Sequence, residues 1–301
     1  MKPFHLIGHT PLVLLESYST HSVKIYAKLE MYNLGGSIKD RLAKHLIEHA
    51  LQQQAISIGD TIVEATAGNT GIGLAIVANH YNLNCVIFAP EGFSEEKMDI
   101  MRTLGADVRR TPREEGMLGA QKYAKAYANS HHAYYINQFE NKENPNAYVN
   151  TLAQEILTSC PEIDYFVAGA GSGGTFTGTA SVLKEHYVKN IIVEPEGSIL
   201  AGGNPHSHDT EGIGVEKWPS FLDKSLIDDI KVISDIDAFT QVRNLAKTEG
   251  ILSGSSSGAA LQAAVEVSKE IEHGHIVVIF PDGSDRYMSK NIFNYGGNNN
   301  E

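Results

Sequence analysis

Four short stretches of the chain concentrate residues able to bind or react. The first is Gly35-Gly36-Ser37-Ile38-Lys39-Asp40-Arg41. A flexible glycine pair leads into a helical pattern, so Lys39 falls in a first helical turn, where the macrodipole disfavours a cation. That placement favours the neutral amine, the form that attacks an aldehyde. A solvated surface lysine is the plainer alternative. The second stretch, Glu64-Ala65-Thr66-Ala67-Gly68-Asn69-Thr70-Gly71, runs from a strand through small polar residues into a helix. Backbone N–H groups and hydroxyls at such a junction make an anion-binding nest, or simply a capped turn.

The third stretch, Gly169-Ala170-Gly171-Ser172-Gly173-Gly174-Thr175, fits G-x-G-x-x-G between a strand and a helix. Glu194 follows about 20 residues on, as in a dinucleotide fingerprint. A phosphate cradle fits equally well, because in both cases glycines let N–H groups approach phosphate at a positive helix end. The fourth, Leu252-Ser253-Gly254-Ser255-Ser256-Ser257-Gly258-Ala259-Ala260, opens another helix with more serines than one N-cap requires.

The elements that must position these stretches alternate. Apolar periodicity predicts helices over 37–54, 70–80, 94–104, 147–159, 175–186, 236–249 and 258–272, with Ser37 as an N-cap. Strands are expected at 61–64, 84–90, 106–111, 165–170, 190–195, 230–234 and 275–280. Such alternation implies an α/β fold with parallel sheets covered on both faces. The Gly202–His208 segment reads as a loop, and the tail from Tyr295 to Glu301 as frayed. His131-His132 and His206/His208 read as solvated loop residues.

Bulk composition narrows the function classes. The chain has 301 residues, 42% hydrophobic and 20% charged, enough for two domains, with a formal net charge of −12. No basic run is long enough for nucleic acid; Arg109-Arg110 with Arg113 reads as a solvated strand end. Cys85 and Cys160 support neither a disulfide framework nor a metal site, and Cys85 sits in an apolar run suited to an inert thiol. The thirteen histidines are scattered, without metal-ligand spacing, so no metal is expected. With neither a signal peptide nor an apolar membrane span evident, the cytoplasm is the expected location.

In order and near spacing, the four stretches resemble the cysteine synthase/cystathionine β-synthase family of fold-type II pyridoxal-phosphate (PLP) enzymes. The resemblance runs from Ile7-Gly8-His9-Thr10-Pro11-Leu12 to Phe280-Pro281-Asp282-Gly283-Ser284-Asp285-Arg286-Tyr287-Met288, almost the whole chain. It implies a tryptophan synthase β-like fold of two α/β domains, each with a mainly parallel sheet. A smaller, mobile substrate-loop domain would take 36–145 with 1–12. A larger cofactor-phosphate domain would take 13–35 with 146–301.

By the same resemblance Lys39 would be the Schiff-base lysine and then the general base. Asn69 would bond the cofactor's ring hydroxyl, and Gly171, Ser172, Gly173, Gly174 and Thr175 its phosphate. Ser256 would meet the pyridine nitrogen. Thr66, Ala67, Gly68 and Thr70, with Gln138, would hold the substrate carboxylate. Ala67 stands where cysteine synthases of this kind usually have serine. Pro195–Leu200 and Glu211–Gly214 look more like cystathionine β-synthases. The implied reaction is β-replacement on O-acetylserine or serine by homocysteine through an aminoacrylate, with sulfide as the alternative acceptor. A homodimer acting on small amino acids, without nucleic acid or membrane, is implied. So is the lack of regulation through a haem segment or a C-terminal regulatory domain.

Overall fold

The computed structural model describes residues 2–296. In chain order the elements are β1 (Leu12–Leu14), β2 (Val23–Leu29), α1 (Lys39–Gln52), β3 (Thr61–Ala65), α2 (Asn69–His80), β4 (Asn84–Pro90), α3 (Glu95–Thr103), β5 (Asp107–Thr111), α4 (Gly116–His131) and β6 (Tyr134–Tyr135). They continue with α5 (Asn146–Val149), α6 (Leu152–Ser159), β7 (Ile163–Gly169), α7 (Gly174–Glu185), β8 (Lys189–Pro195), β9 (Asp229–Ile233), α8 (Asp235–Glu249), α9 (Ser255–Glu270) and β10 (Gly274–Phe280). The chain folds as two units. The smaller takes residues up to Ile7 and Asn33–Ala147; the larger takes Gly8–Tyr32 and the chain from Tyr148.

The smaller unit holds a four-stranded parallel sheet in the order β5-β4-β3-β6. Strand alternation sets its two faces. Val63 and Ala65 of β3 join Val86 and Phe88 of β4 in packing on Ala120, Ala124 and Ala128 of α4. Glu64 therefore faces the other way, where α2 packs on β4. The N-terminal segment is pinned to this unit by Phe4, which stacks on His80 at 3.7 Å and lies under the Lys44 ammonium.

The larger unit holds a six-stranded sheet, β1-β2-β10-β7-β8-β9, parallel except for the β1–β2 pair. Alternate residues Ile25, Ala27 and Leu29 of β2 and Ile276, Val278 and Phe280 of β10 share a core with α8 and α9. Residues 8–12 belong to this unit rather than to the smaller one, because Leu12 pairs with Lys28 across the β1–β2 ladder. Lys28 itself is buried; its ammonium donates to Thr10 O at 2.6 Å and to Glu155 Oε2 at 2.7 Å.

Several expectations need correction. The helix expected over 147–159 breaks at Asn150-Thr151, where β-branched and amide residues of low helix propensity follow one another. Tyr295 is not frayed: it stacks on Phe239 at 4.0 Å and its hydroxyl donates to Asp209 at 2.7 Å. Residues 297–301, the rest of that expectation, lie outside the described residues. His131 ends α4 and stacks on Tyr127 at 3.9 Å instead of occupying a loop. Arg109 lies over the same ring, and Arg110 pairs with Glu95 at 2.9 Å, so neither is simply solvated.

Candidate active site

Lys39 is the first residue of α1 and is half-buried. The turn before it is held by Asp40, whose buried carboxylate accepts the Gly35 N–H at 2.5 Å. Ser37 is not the helix cap. Ile38 holds that position, and the Ser37 hydroxyl accepts the N–H of Lys39 at 3.2 Å. The first turn of α1 rests on α2 at Gly73. A methyl group built there would lie 3.1 Å from Lys39 O and 3.2 Å from the Asp40 Cα. Only a hydrogen at that position lets the two helices approach so closely.

α2 starts at Asn69, directly after the loop that leaves β3. Thr66 continues the sheet by donating its N–H to Phe88 O, and its hydroxyl accepts the N–H of Gly68 at 3.2 Å. Ala67 is buried, whereas a side chain added at Gly68 would meet only open space. The Thr70 hydroxyl donates to Gln138 Oε1 at 2.8 Å, a contact between residues 68 apart in the chain. With its carbonyl oxygen engaged, Gln138 keeps its amide N–H donors for another acceptor. The structure thus gathers Thr66, Ala67, Gly68, Thr70 and Gln138 into one cluster beside Asn69.

The larger unit carries the second cluster. Gly173 adopts φ +84° and caps α7, so the unpaired N–H groups of that first turn open behind a glycine loop. A Cβ on Gly171 would lie 2.9 Å from Gly212 O, so only glycine fits. The 210–214 segment ties this loop to α9. Gly214 N–H donates to Ala170 O at 3.0 Å, and Glu211 N–H donates to Ser255 Oγ at 3.0 Å. α9 begins at Ser255, three residues earlier than its apolar pattern suggests, which places Ser256 in its buried first turn. The Ser256 hydroxyl has no hydrogen-bond partner among the described residues, and a Cβ on Gly212 would lie 4.0 Å from it.

Two buried glutamates hold the loops beside these sites, and motif reading missed the role of the first. Glu64 is fully buried; its carboxylate accepts from Ala65 N–H at 2.7 Å and Gln138 N–H at 2.9 Å. Burial raises its pKa to about 7, against those two hydrogen bonds, which lower it. Glu194, the acid of the dinucleotide reading, is likewise buried and accepts from Leu200 and Ala201 N–H groups at 2.8 and 2.7 Å. Both its oxygens are engaged in holding a loop rather than facing the glycine stretch as a ribose-binding acid would. The signal for both was a lone acid within an otherwise apolar strand. Among the described residues no cluster of His, Cys, Asp or Glu suits a metal ion, and no helix is long and apolar enough to cross a membrane.

Comparison with known proteins places the chain in a family. A family model described as pyridoxal-phosphate dependent enzyme matches residues 4–282. The chain is 52% identical over 297 residues to the O-acetylserine dependent cystathionine beta-synthase of Bacillus subtilis (strain 168), covering 97% of each chain. It is 50% identical over 274 residues to a cysteine synthase of Helicobacter pylori (strain ATCC 700392 / 26695), covering 89% of this chain and 90% of that one. A crystal structure of O-acetylserine dependent cystathionine beta-synthase from Helicobacter pylori superposes with a TM-score of 0.91 at 47% identity, covering 97% of this chain and 98% of the other.

Proposed function

The chain belongs to the family of pyridoxal-phosphate-dependent enzymes, and on that premise we propose that it replaces the β-substituent of O-acetylserine, or of serine, with homocysteine to give cystathionine. The observation that carries the reading is the Thr70–Gln138 hydrogen bond. It closes a small, donor-rich loop suited to an amino-acid carboxylate, in a chain half identical to enzymes named for this chemistry. Sulfide is the alternative acceptor, supported by the cysteine synthase that is 50% identical over 274 residues.

The residues present fit the cofactor. A Cβ would meet Gly212 O at 2.9 Å from Gly171, and Leu222 and Pro219 at 3.2 and 3.3 Å from Gly173, so only glycine gives the Gly171–Thr175 loop this shape, and its N–H groups suit a phosphate. The Ser256 hydroxyl is spare for a ring nitrogen. Lys39 supplies the only amine in the four stretches. When bound, pyridoxal phosphate supplies an aldehyde and an electron-accepting ring.

Lys39 would hold that aldehyde and, with its amine freed, would accept the substrate's α-proton as general base. Asn69 would donate to the ring hydroxyl. Thr66, Ala67, Gly68, Thr70 and Gln138 fix the substrate carboxylate, which aligns the Cα–H bond with Lys39. A neutral Ser256 hydroxyl would lend the ring nitrogen little positive charge, which favours loss of the β-substituent over transamination. The smaller unit supplies the substrate loop and the larger one the phosphate cradle. The enzyme is a cytoplasmic homodimer in this reading, checked by light scattering of the purified protein.

The deciding experiment supplies O-acetylserine or serine, each with homocysteine or sulfide, and compares kcat/KM. Highest efficiency with O-acetylserine and homocysteine is expected. A clear preference for sulfide would transfer the protein to cysteine synthesis, and no turnover with any pair would end the β-replacement reading.

A further inference from the structure

We propose that Glu64 is a positioning residue for the substrate-carboxylate loop, clamping Gln138 to the end of β3; the inference rests on the function proposed above. Its carboxylate bridges two backbone N–H groups far apart in the chain, Ala65 at 2.7 Å and Gln138 at 2.9 Å. Ala65 immediately precedes the Thr66–Thr70 loop. Gln138 follows Asn137, which takes the left-handed conformation at φ +55°, so the turn presenting Gln138 is not one most residues adopt freely.

Two further bonds complete the clamp. Asn144 Nδ2 donates to Gln138 O at 2.6 Å, and Thr70 donates to Gln138 Oε1 at 2.8 Å. Gln138 is thereby held at its N–H, its carbonyl and its side-chain oxygen, which leaves the side-chain amide N–H groups to face a ligand. A fully buried acid is costly, and only an ionisable carboxylate offers an acceptor at both oxygens. A glutamine offers one acceptor and one donor, and the donor would oppose an N–H. The placement is therefore what a precise double acceptor requires, and a structural apolar residue at the same site would leave both N–H groups unpaired.

The test is Glu64→Gln in the cofactor-loaded enzyme, with cofactor content read from visible absorbance. Losing one of the two bonds is expected to raise KM for O-acetylserine ~10-fold, within the range for an unsatisfied buried donor, with kcat changed less. Spectral titration with ethanolamine, an amine without a carboxylate, should give the same apparent affinity in variant and wild type. Glu64→Asp retains both acceptors on a shorter stem and covers a folding failure of E64Q; a smaller KM rise of the same kind is expected. An unchanged KM in whichever variant folds and loads cofactor overturns the proposal. So does an equal loss of affinity for O-acetylserine and ethanolamine, which marks a general disturbance. Failure of the wild type itself to turn over any donor falls on the proposed function instead, so the two outcomes stay distinct.

Discussion

The helix that carries Lys39 is placed by a hydrogen atom, and Gly73→Ala measures how much that matters. The added methyl would lie 3.1 Å from Lys39 O and from the Ala43 Cβ, and 3.2 Å from the Asp40 Cα. Two of these three neighbours are backbone atoms of α1, so no side-chain rotation relieves the contact. Restoring an ordinary separation of roughly 3.5 Å moves the first turn of α1 back by about 0.4 Å. Overpacking of this kind costs about 1–3 kcal/mol, offset by the ~1 kcal/mol gained when alanine replaces glycine inside a helix. Net stability should fall by ~0–2 kcal/mol, a small change. Activity is more sensitive: a misplacement of about 1 Å costs roughly 100-fold, so about 0.4 Å should cost about six-fold in kcat. Urea melts and steady-state kinetics on the loaded enzyme read the two effects separately. A variant stabilised by the full helix-propensity gain, with kcat unaltered, would show that Lys39 is not positioned through α2.

Other consequences are open to direct measurement. Lys28→Met removes the ammonium from beneath Thr10 and Glu155 and should destabilise the protein by about 2–4 kcal/mol by urea denaturation, since Glu155 keeps some solvent contact; a loss below about 0.5 kcal/mol would show the pair is idle. Burial first, then the charges of Glu64 and Asp107, push the Cys85 thiol up to about 12, and burial pushes Cys160 up to about 11, so neither should react with a disulfide reagent at pH 8 until urea is added. Glu64, raised by burial to about 7 from 4.5, contributes stability that is present below its unfolded value and lost as pH rises through about 7. The stability difference between wild type and E64Q should therefore shift by about 3 kcal/mol between pH 4 and pH 9, and a flat difference would refute the burial argument. Tyr287→Phe removes the 2.5 Å bond to Asp282, whose carbonyl accepts the N–H of the α9 cap Gly254, and should cost about 1–3 kcal/mol by thermal melting, with weaker retention of cofactor on dialysis.

What the sequence showed depended on how strongly burial was written into residue type. β4 reads as the unbroken apolar run Cys85–Pro90 and was recovered within its observed limits. α4 was not anticipated, because its buried stripe is built from Ala120, Ala124 and Ala128, too weakly apolar to mark a face. β2 was missed for a related reason: its lysines look like surface residues, yet Lys28 is buried through its ion pair. The four reactive stretches were legible because glycine and serine clusters at helix starts have few other uses. Glu64 and Gly73 were not, since what they do depends on partners distant in sequence, Gln138 and Lys39, that only the fold brings near.

The smaller unit is spliced into the larger one between residues 32 and 148, and this bears on how the chain matures. β2 leaves the ribosome early, but one of its two sheet neighbours, β10, is synthesised nearly last. During elongation β2 has only the three-residue β1 to pair with, so one edge of the future sheet waits unpaired through most of synthesis. The inserted segment meanwhile contains every strand of its own sheet and is free to fold first. Vectorial synthesis therefore completes the Thr66–Thr70 loop before the Gly169–Thr175 loop, and truncated or stalled chains should be the aggregation-prone species, whose exposed edge is the span Val23–Leu29.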